Sequence, residues 1–340
     1  AVGQWQSHGA GRPSGASRQR HANCAFKACA CLAKTGGPIH HAGLAQPLGW
    51  LSFMDWERLR HDWPNAGLSR FIEAAGVRWH VQQAGTQGPR VLLLHGTGAS
   101  SHTWRDMLLP LAEQAQVLAV DLPGHGFSSL AEGDAMSLPG MANSLGILLK
   151  QLNWPVDAFI GHSAGAAIAA QMVLDQGLQA QVLIGINPAW LPLPGLAGML
   201  FPPAAKLLAV TSLVPQWFAR QASSPGMLDK LLQSTGSTLD ERGKHLYAQL
   251  VASPAHAQGA LKMMAAWDLS RGADKLQQLN CPVRILVGDN DGTVPPLQAR
   301  QAMGLLSDAK LDIRSGYGHL VHEETPQQTV KFCLKNLQAN

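Results

Sequence analysis

Gly161-His162-Ser163-Ala164-Gly165 stands between an apolar run, Val156 to Ile160, and a small-residue segment from Ala166 to Leu174. The run reads as a buried strand and the segment after it as a helix. A serine on a sharp strand-to-helix turn, with glycine on both shoulders, has the form of a nucleophile elbow. The glycines have a steric reason. Such a turn strains the serine backbone, and the neighbouring strand and helix crowd any side chain at 161 or 165. A pentapeptide this short also recurs by chance. Its meaning rests on whether a histidine, an acid and an oxyanion hole stand where the same fold would put them.

Outward from the elbow the chain alternates strands and helices. Arg70 to Ala74, Gly76, and Val77 to Gln82 read as a β-hairpin. Val91–Leu94 and Val117–Val120 are short buried strands, and Trp104–Ala115 between them reads as a helix broken by Pro110. Ser137 or Leu138 opens a helix to Leu152, with Pro139 in its first turn. Gln181–Ile186, Val283–Val287 and Lys310–Ile313 are further strands, and helices are expected near Pro296–Leu306 and Pro326–Leu337. Strands apolar throughout and separated by helices indicate a parallel sheet covered on both faces. Ligands then bind beyond the C-terminal strand ends. Between Asn187 and about Leu279 the alternation stops. Prolines 192, 194, 202, 203 and 215 punctuate an apolar stretch, followed by expected helices near Gly226–Thr235 and Thr238–Ala252. This reads as a helical lid inserted after a sheet strand.

The special loops lie at strand ends. His319, in Gly316-Tyr317-Gly318-His319, follows the last strand and occupies the place of a triad base; His322 is the near competitor, expected to line the entrance or cap the helix. The acid should follow the penultimate strand, in Gly288-Asp289-Asn290-Asp291-Gly292-Thr293-Val294-Pro295. The spacing before the Val-Pro pair favours Asp291, with Asp289 the alternative; either can also serve as a turn-former. An oxyanion hole needs two backbone N–H groups, expected from Ala164 and from Thr97 in His95-Gly96-Thr97-Gly98. His95 and Asp121-Leu122-Pro123-Gly124-His125-Gly126 read as structural. Trp104, Trp190 and Leu191 are expected in the pocket.

Together these loops, each at a strand end and in the order serine, acid, histidine, give an α/β-hydrolase fold. The expected core is a mostly parallel eight-stranded sheet with helices on both faces, over residues 54–187 and 280–340, with a helical cap and return segment at 188–279 after the sixth strand. A serine nucleophile implies acyl transfer and needs neither metal nor organic cofactor.

Composition bounds the rest. The net charge of +4 is uneven: residues 1–53 carry Arg12, Arg18, Arg20, Lys27 and Lys34 and no acid, and the remaining 21 basic residues face 22 acidic ones. The body therefore has no nucleic-acid footprint. Cys24, Cys29 and Cys31 lie in the leader at a spacing unlike zinc knuckles, and Cys281 and Cys333 read as reduced thiols. Residues 1–53 show neither periodicity; a disordered or upstream-translated leader is expected there. No apolar run reaches the roughly 18 residues of a membrane span.

Met54-Asp55-Trp56-Glu57-Arg58, Asp62-Trp63-Pro64-Asn65, Ser69-Arg70-Phe71, Trp79-His80-Val81-Gln82 and Met263-Met264-Ala265-Ala266-Trp267-Asp268-Leu269 carry a narrower signal, with Gly318-His319-Leu320-Val321-His322-Glu323-Glu324. With them the chain, from Met54 almost to its end, resembles the magnesium-chelatase accessory proteins of bacteriochlorophyll synthesis, which are α/β-hydrolase homologues. The resemblance implies a role when magnesium enters protoporphyrin. It also implies a hydrophobic ligand such as a porphyrin, chelatase subunits as partners, and a cytoplasmic protein with contact to the photosynthetic membrane. Trp190, Leu191, Leu193, Leu196, Met199, Leu200, Phe201, Leu207, Leu208, Val214, Trp217 and Phe218 read as lid core or as the wall of such a pocket.

Overall fold

A computed structural model describes residues 54–192, 213–222 and 226–338. The leader expected at 1–53 and the apolar wall from Leu193 to Leu208 lie outside the described residues, as do the side chains of Val214, Trp217 and Phe218.

The hairpin comes first. β1 (Ser69–Ala74) turns through Ala75 and Gly76, both at positive φ, into β2 (Val77–Ala84). Two residues with φ above zero match the right-handed twist of the strands they join. β3 (Arg90–Leu94), β4 (Gln116–Val120), β5 (Ala158–His162), β6 (Val182–Ile186), β7 (Val283–Gly288) and β8 (Ala309–Arg314) complete one sheet, in the order β1-β2-β4-β3-β5-β6-β7-β8. β2 runs antiparallel to both of its neighbours, and every later pairing is parallel.

Successive side chains on a strand point to opposite faces, and both faces here are buried. Leu92, Leu94, Phe159, Leu183 and Ile285 pack on α1 (Leu138–Gln151) and α2 (Ala164–Gln176). Val91, Leu93, Ile160, Ile184 and Leu286 pack on Trp104, Leu108 and Leu111 and on α9 (Pro326–Leu337) through Val330, Cys333 and Leu337. This double burial is why the strands read as continuous apolar runs instead of alternating ones. α1 begins where its sequence says: the Ser137 hydroxyl accepts from the Gly140 N–H, and a proline stands in the first turn. α2 ends on Gly177, left-handed at φ 59°.

The expected helix at 104–115 is instead a 3-10 turn, Ser101–Trp104, and a short helix, Leu108–Ala112. Pro110 sits among the first residues of that helix, where a missing N–H leaves no bond unmade.

Between β6 and β7 the described chain is helical: α3 (Leu213–Ala222), α4 (Met227–Ser234), α5 (Glu241–Val251), α6 (Pro254–Ala266) and α7 (Gly272–Gln277). α8 (Pro296–Met303) follows β7. A third apolar cluster joins the cap to the segment that precedes β1. It places Met54, Leu59 and Trp63 with Phe127, Leu232, Leu246 and Leu250. No helix among the described residues is long and apolar enough to cross a membrane.

α2 lies so close to β3 that a Cβ on Gly165 would come within 2.1 Å of the Leu94 carbonyl oxygen. Neither backbone can yield without opening the sheet. Gly165→Ala should therefore lower the unfolding free energy by about 1–3 kcal/mol, read as an earlier urea midpoint. An unshifted midpoint would mean that α2 rides freely over β3.

Candidate active site

Ser163 joins the end of β5 to the start of α2 at φ 51° and ψ −118°. A positive φ on a residue with a Cβ is costly, and three backbone bonds hold it there. The Ser163 N–H donates to the Ile186 carbonyl at 3.0 Å, and its own carbonyl accepts from Ala166 and Ala189, each at 3.1 Å. Ala164 is the first residue of α2, where backbone N–H groups have no partner within the helix. The loop after β3 approaches from the other side. A Cβ on Gly96 would stand 2.9 Å from the Ser163 Cβ, so the backbone of this loop runs against the serine, and Thr97 is the next residue along it.

The loops after β6, β7 and β8 meet at Asp291. Its Oδ2 accepts from His319 Nδ1 at 2.8 Å and from Asn187 Nδ2 at 2.6 Å. Its Oδ1 accepts from the N–H groups of Thr293 and Val294 at 2.7 and 2.8 Å. The side chain is fully buried. A carboxylate on Nδ1 fixes the tautomer of a neutral histidine, leaving the lone pair of Nε2 as the basic site. The His319 backbone is held as firmly: its N–H donates to Thr235 in the cap at 3.0 Å, and its carbonyl lies 2.9 Å from His162 Nε2. Among the described residues no hydrogen bond joins the Ser163 hydroxyl to His319.

Of the two aspartates left open by the sequence, only Asp291 meets a histidine. Asp289 is exposed and braces the ends of β7 and β8, accepting from Ser315 Oγ at 2.8 Å and from the Gly316 N–H at 2.7 Å. Those bonds hold its carboxyl below the usual range.

His322 neither lines an entrance nor caps a helix at the surface. It is fully buried, with Nε2 2.7 Å from the Thr103 hydroxyl and its ring 4.4 Å from that of His162. Thr103 donates to Glu323 Oε1, which also accepts from the Tyr247 hydroxyl, and Arg105 closes the group on Glu323 Oε2. Burial pushes the Glu323 carboxyl up, and Arg105 and the hydrogen bonds oppose it. This web ties the loop after β3 to the segment after His319 and to α5 of the cap.

His95 is structural as expected: it accepts the Leu122 N–H at 2.9 Å and contacts the Gly96 carbonyl. Asp121 takes the N–H groups of Ser101 and Phe127 and pairs with His80, deep below the site. Its hydrogen bonds and histidine neighbours outweigh burial and hold it well below the usual carboxylate range.

One pocket expectation changes. Trp104 is wholly buried among Val91, Leu93 and Leu108 and against His322, so its ring is core. Trp190 donates its ring N–H to the Ala166 carbonyl at 2.9 Å and lies over Gly185, bracing α2 against β6. Leu191 is half-buried beside it. The sequence reading missed Asn187, His162, Thr235 and α6. Asn187 did carry a signal: an asparagine closing an apolar strand suits its left-handed φ of 42°. Ser253-Pro254 likewise marks the start of α6, where the Ser253 hydroxyl accepts from the His256 N–H.

Residues 91–332 match the model of the alpha/beta hydrolase family. The chain is 37% identical over 271 residues to the magnesium-chelatase 30 kDa subunit of Rhodobacter capsulatus, covering 79% of this chain and 94% of that protein. It is 30% identical over 216 residues to the pimeloyl-[acyl-carrier protein] methyl ester esterase of Aeromonas salmonicida, covering 62% and 80%. An alpha/beta hydrolase fold protein from Burkholderia ambifaria superposes with a TM-score of 0.67 at 23% identity, over 79% of this chain and 97% of its own, which shows the shared fold.

The buried histidines make a testable statement about stability. Loss of hydration holds His102, His125, His162 and His322 well below the ordinary imidazole value, and His256 is pushed down to about 4. Below the unfolded value of about 6.5 the unfolded chain binds protons that the folded chain refuses. Stability is therefore full above that pH and falls as pH drops, by up to about 1.4 kcal/mol per unit for each such histidine. Urea midpoints at about pH 7.5 and about pH 5 should separate clearly. Equal midpoints would show that these rings take up protons while folded.

Proposed function

Because the chain belongs to the alpha/beta hydrolase family, we propose that it is a serine hydrolase acting on an ester-type bond of a hydrophobic substrate, in the service of magnesium insertion into protoporphyrin during bacteriochlorophyll synthesis. Ser163 is the nucleophile, His319 the base and Asp291 the group that orients it. The Thr97 and Ala164 N–H groups form the oxyanion hole. The observation that carries this reading is the buried 2.8 Å contact between Asp291 Oδ2 and His319 Nδ1, with the His319 carbonyl bound by His162, the residue before the strained Ser163.

In this reading the Ser163 oxygen attacks the acyl carbon while His319 Nε2 takes its proton. Asp291 stabilises the imidazolium, and the proton then passes to the departing alcohol. Water repeats the sequence to free the acid. Each oxyanion donor acts on charge present only in the tetrahedral intermediate and is worth ~10²–10³ in turnover. The likeness to the Rhodobacter protein, a magnesium-chelatase subunit by name, supports the setting with chelatase subunits as partners, and a porphyrin is the hydrophobic ligand of this proposal. Contact of the apolar cap with a pigment-bearing membrane belongs to the same proposal. The likeness to the Aeromonas esterase supports the reaction class, and a general carboxylesterase is its simpler form.

A second reading, a porphyrin carrier or chelatase assembly factor that does no chemistry, draws on the missing hydrogen bond between Ser163 and His319. Catalytic hydrogen bonds often tighten only when substrate binds, so the first reading is preferred. A fluorophosphonate probe should label the protein on Ser163, and Ser163→Ala should abolish labelling and cut ester turnover on the order of 10⁶-fold. Folded Ser163→Ala protein that still sustains pigment synthesis in cells would favour the carrier.

A further inference from the structure

α6 carries Met263 to Ala266, most of one of the segments on which the narrower resemblance rests, yet it has no part in the chemistry proposed above. Its contacts say where it acts. His256, Gly259 and Met263 are spaced three and four apart, so they share one helix face. That face lies on two loops at the strand ends.

His256 is almost wholly buried between them. Its Nδ1 accepts from the Gly126 N–H at 3.0 Å, and its Nε2 stands 3.1 Å from the Gly98 carbonyl oxygen. A backbone N–H only donates and a carbonyl only accepts. Nδ1 is therefore bare and Nε2 carries the proton. Gly259 meets Gly124 backbone to backbone; a Cβ on it would fall 1.9 Å from the Gly124 carbonyl oxygen. Met263 is fully buried, and its sulfur accepts a hydrogen bond from the Thr97 hydroxyl at 3.4 Å. The cap helix thus holds Thr97 by its side chain and the next residue, Gly98, by its carbonyl. Within the loop the Gly96 carbonyl accepts from the Ala99 N–H at 3.2 Å.

We propose that α6 is the positioning element of the oxyanion loop, with His256 and Met263 its positioning residues. The consequence for chemistry rests on the serine-hydrolase reading, because the aim of the Thr97 N–H matters only when charge develops beside Ser163. A donor acts at full strength only if it is fixed before the charge appears. The loop after β3 is short and rich in glycine, so it needs outside contacts to be fixed. Gly124 and Gly259 allow the helix to come near enough to supply them.

The test uses the full chain as wild type, His256→Ala, His256→Gln and Met263→Leu. Glutamine keeps a donor toward the Gly98 carbonyl, and leucine conserves volume while removing the sulfur acceptor. Hydrogen–deuterium exchange of the peptide spanning residues 94–100 reads the loop. Hydrolysis of p-nitrophenyl butyrate and inhibition by phenylboronic acid read the oxyanion hole. His256→Ala should speed exchange in the loop while β5 stays protected. It should also lower kcat and weaken the tetrahedral boronate adduct, each by about 10–100-fold, with KM nearly constant. His256→Gln should recover most of the loss, and Met263→Leu should show the same pattern more weakly. Should His256→Ala fail to fold, Met263→Leu carries the test. Unchanged loop exchange overturns the positioning. Faster loop exchange with unchanged kcat and boronate affinity overturns its link to the oxyanion hole. Faster exchange in a chain whose wild type hydrolyses no ester and takes no fluorophosphonate supports the positioning and overturns the hydrolase reading instead.

Discussion

The strained backbone of Ser163 is the constraint on which the rest depends. A residue at φ 51° and ψ −118° sits some 1–3 kcal/mol above an ordinary conformation. It persists because its neighbours leave no alternative. Its N–H is bound to β6, its carbonyl accepts from α2 and from the start of the cap segment, and α2 is clamped against β3 at Gly165. Releasing the strain would require separating strand, helix and loop together. The same clamp sets the direction of the serine side chain and puts the first N–H groups of α2 beside it.

Electrostatics then sorts the histidines. Ten lie in the body of the chain, and most of the buried ones are kept neutral by the loss of water around them. Two of the buried rings have a carboxylate directly on Nδ1: His80 with Asp121, and His319 with Asp291. The His80 pair is shut in on all sides, with the second ring nitrogen 2.9 Å from the Ser69 hydroxyl. His319 alone combines a carboxylate partner with a place next to Ser163, since its carbonyl is bound by the residue preceding the serine.

How much of this was legible follows from the range of the interactions. β3, β4, β5, β6 and β7 announce themselves because burial on both faces leaves only apolar residues. The elbow, the Thr97 loop and His319 are legible because each is a short motif at a strand end. The rest is long-range. Asn187 reaches Asp291 across 104 positions, and no local pattern encodes such a bond. The choice between Asp289 and Asp291 also depends on what each carboxylate meets. Three-residue spacing lets Asp291 take the Val294 N–H, whereas Asp289 turns to Ser315 and Gly316 on another strand. Trp104 misleads for a related reason: an aromatic residue soon after a glycine loop suits a pocket wall or a core equally, and its packing against the far sheet face decides.

The balance between a hydrolase and an inert carrier turns on what the site holds in place. A cavity for a flat apolar ligand needs volume and apolar walls. It has no use for a serine at positive φ, a buried aspartate satisfied by four donors, or a histidine whose Nδ1 is held by that aspartate. Each of these opposes folding unless its partners are in place, since buried charge and backbone strain are both unfavourable alone. Here the partners come from four separate strand-end loops and from the cap. The Thr235 carbonyl holds the His319 backbone, Tyr247 joins the Glu323 group, and α6 holds the loop after β3. The proposed hydrolase gives these long-range contacts a common use, because they hold the loops on either side of the Ser163 turn. The cap is part of that arrangement, since Thr235, Tyr247 and α6 each bind a segment beyond a strand end.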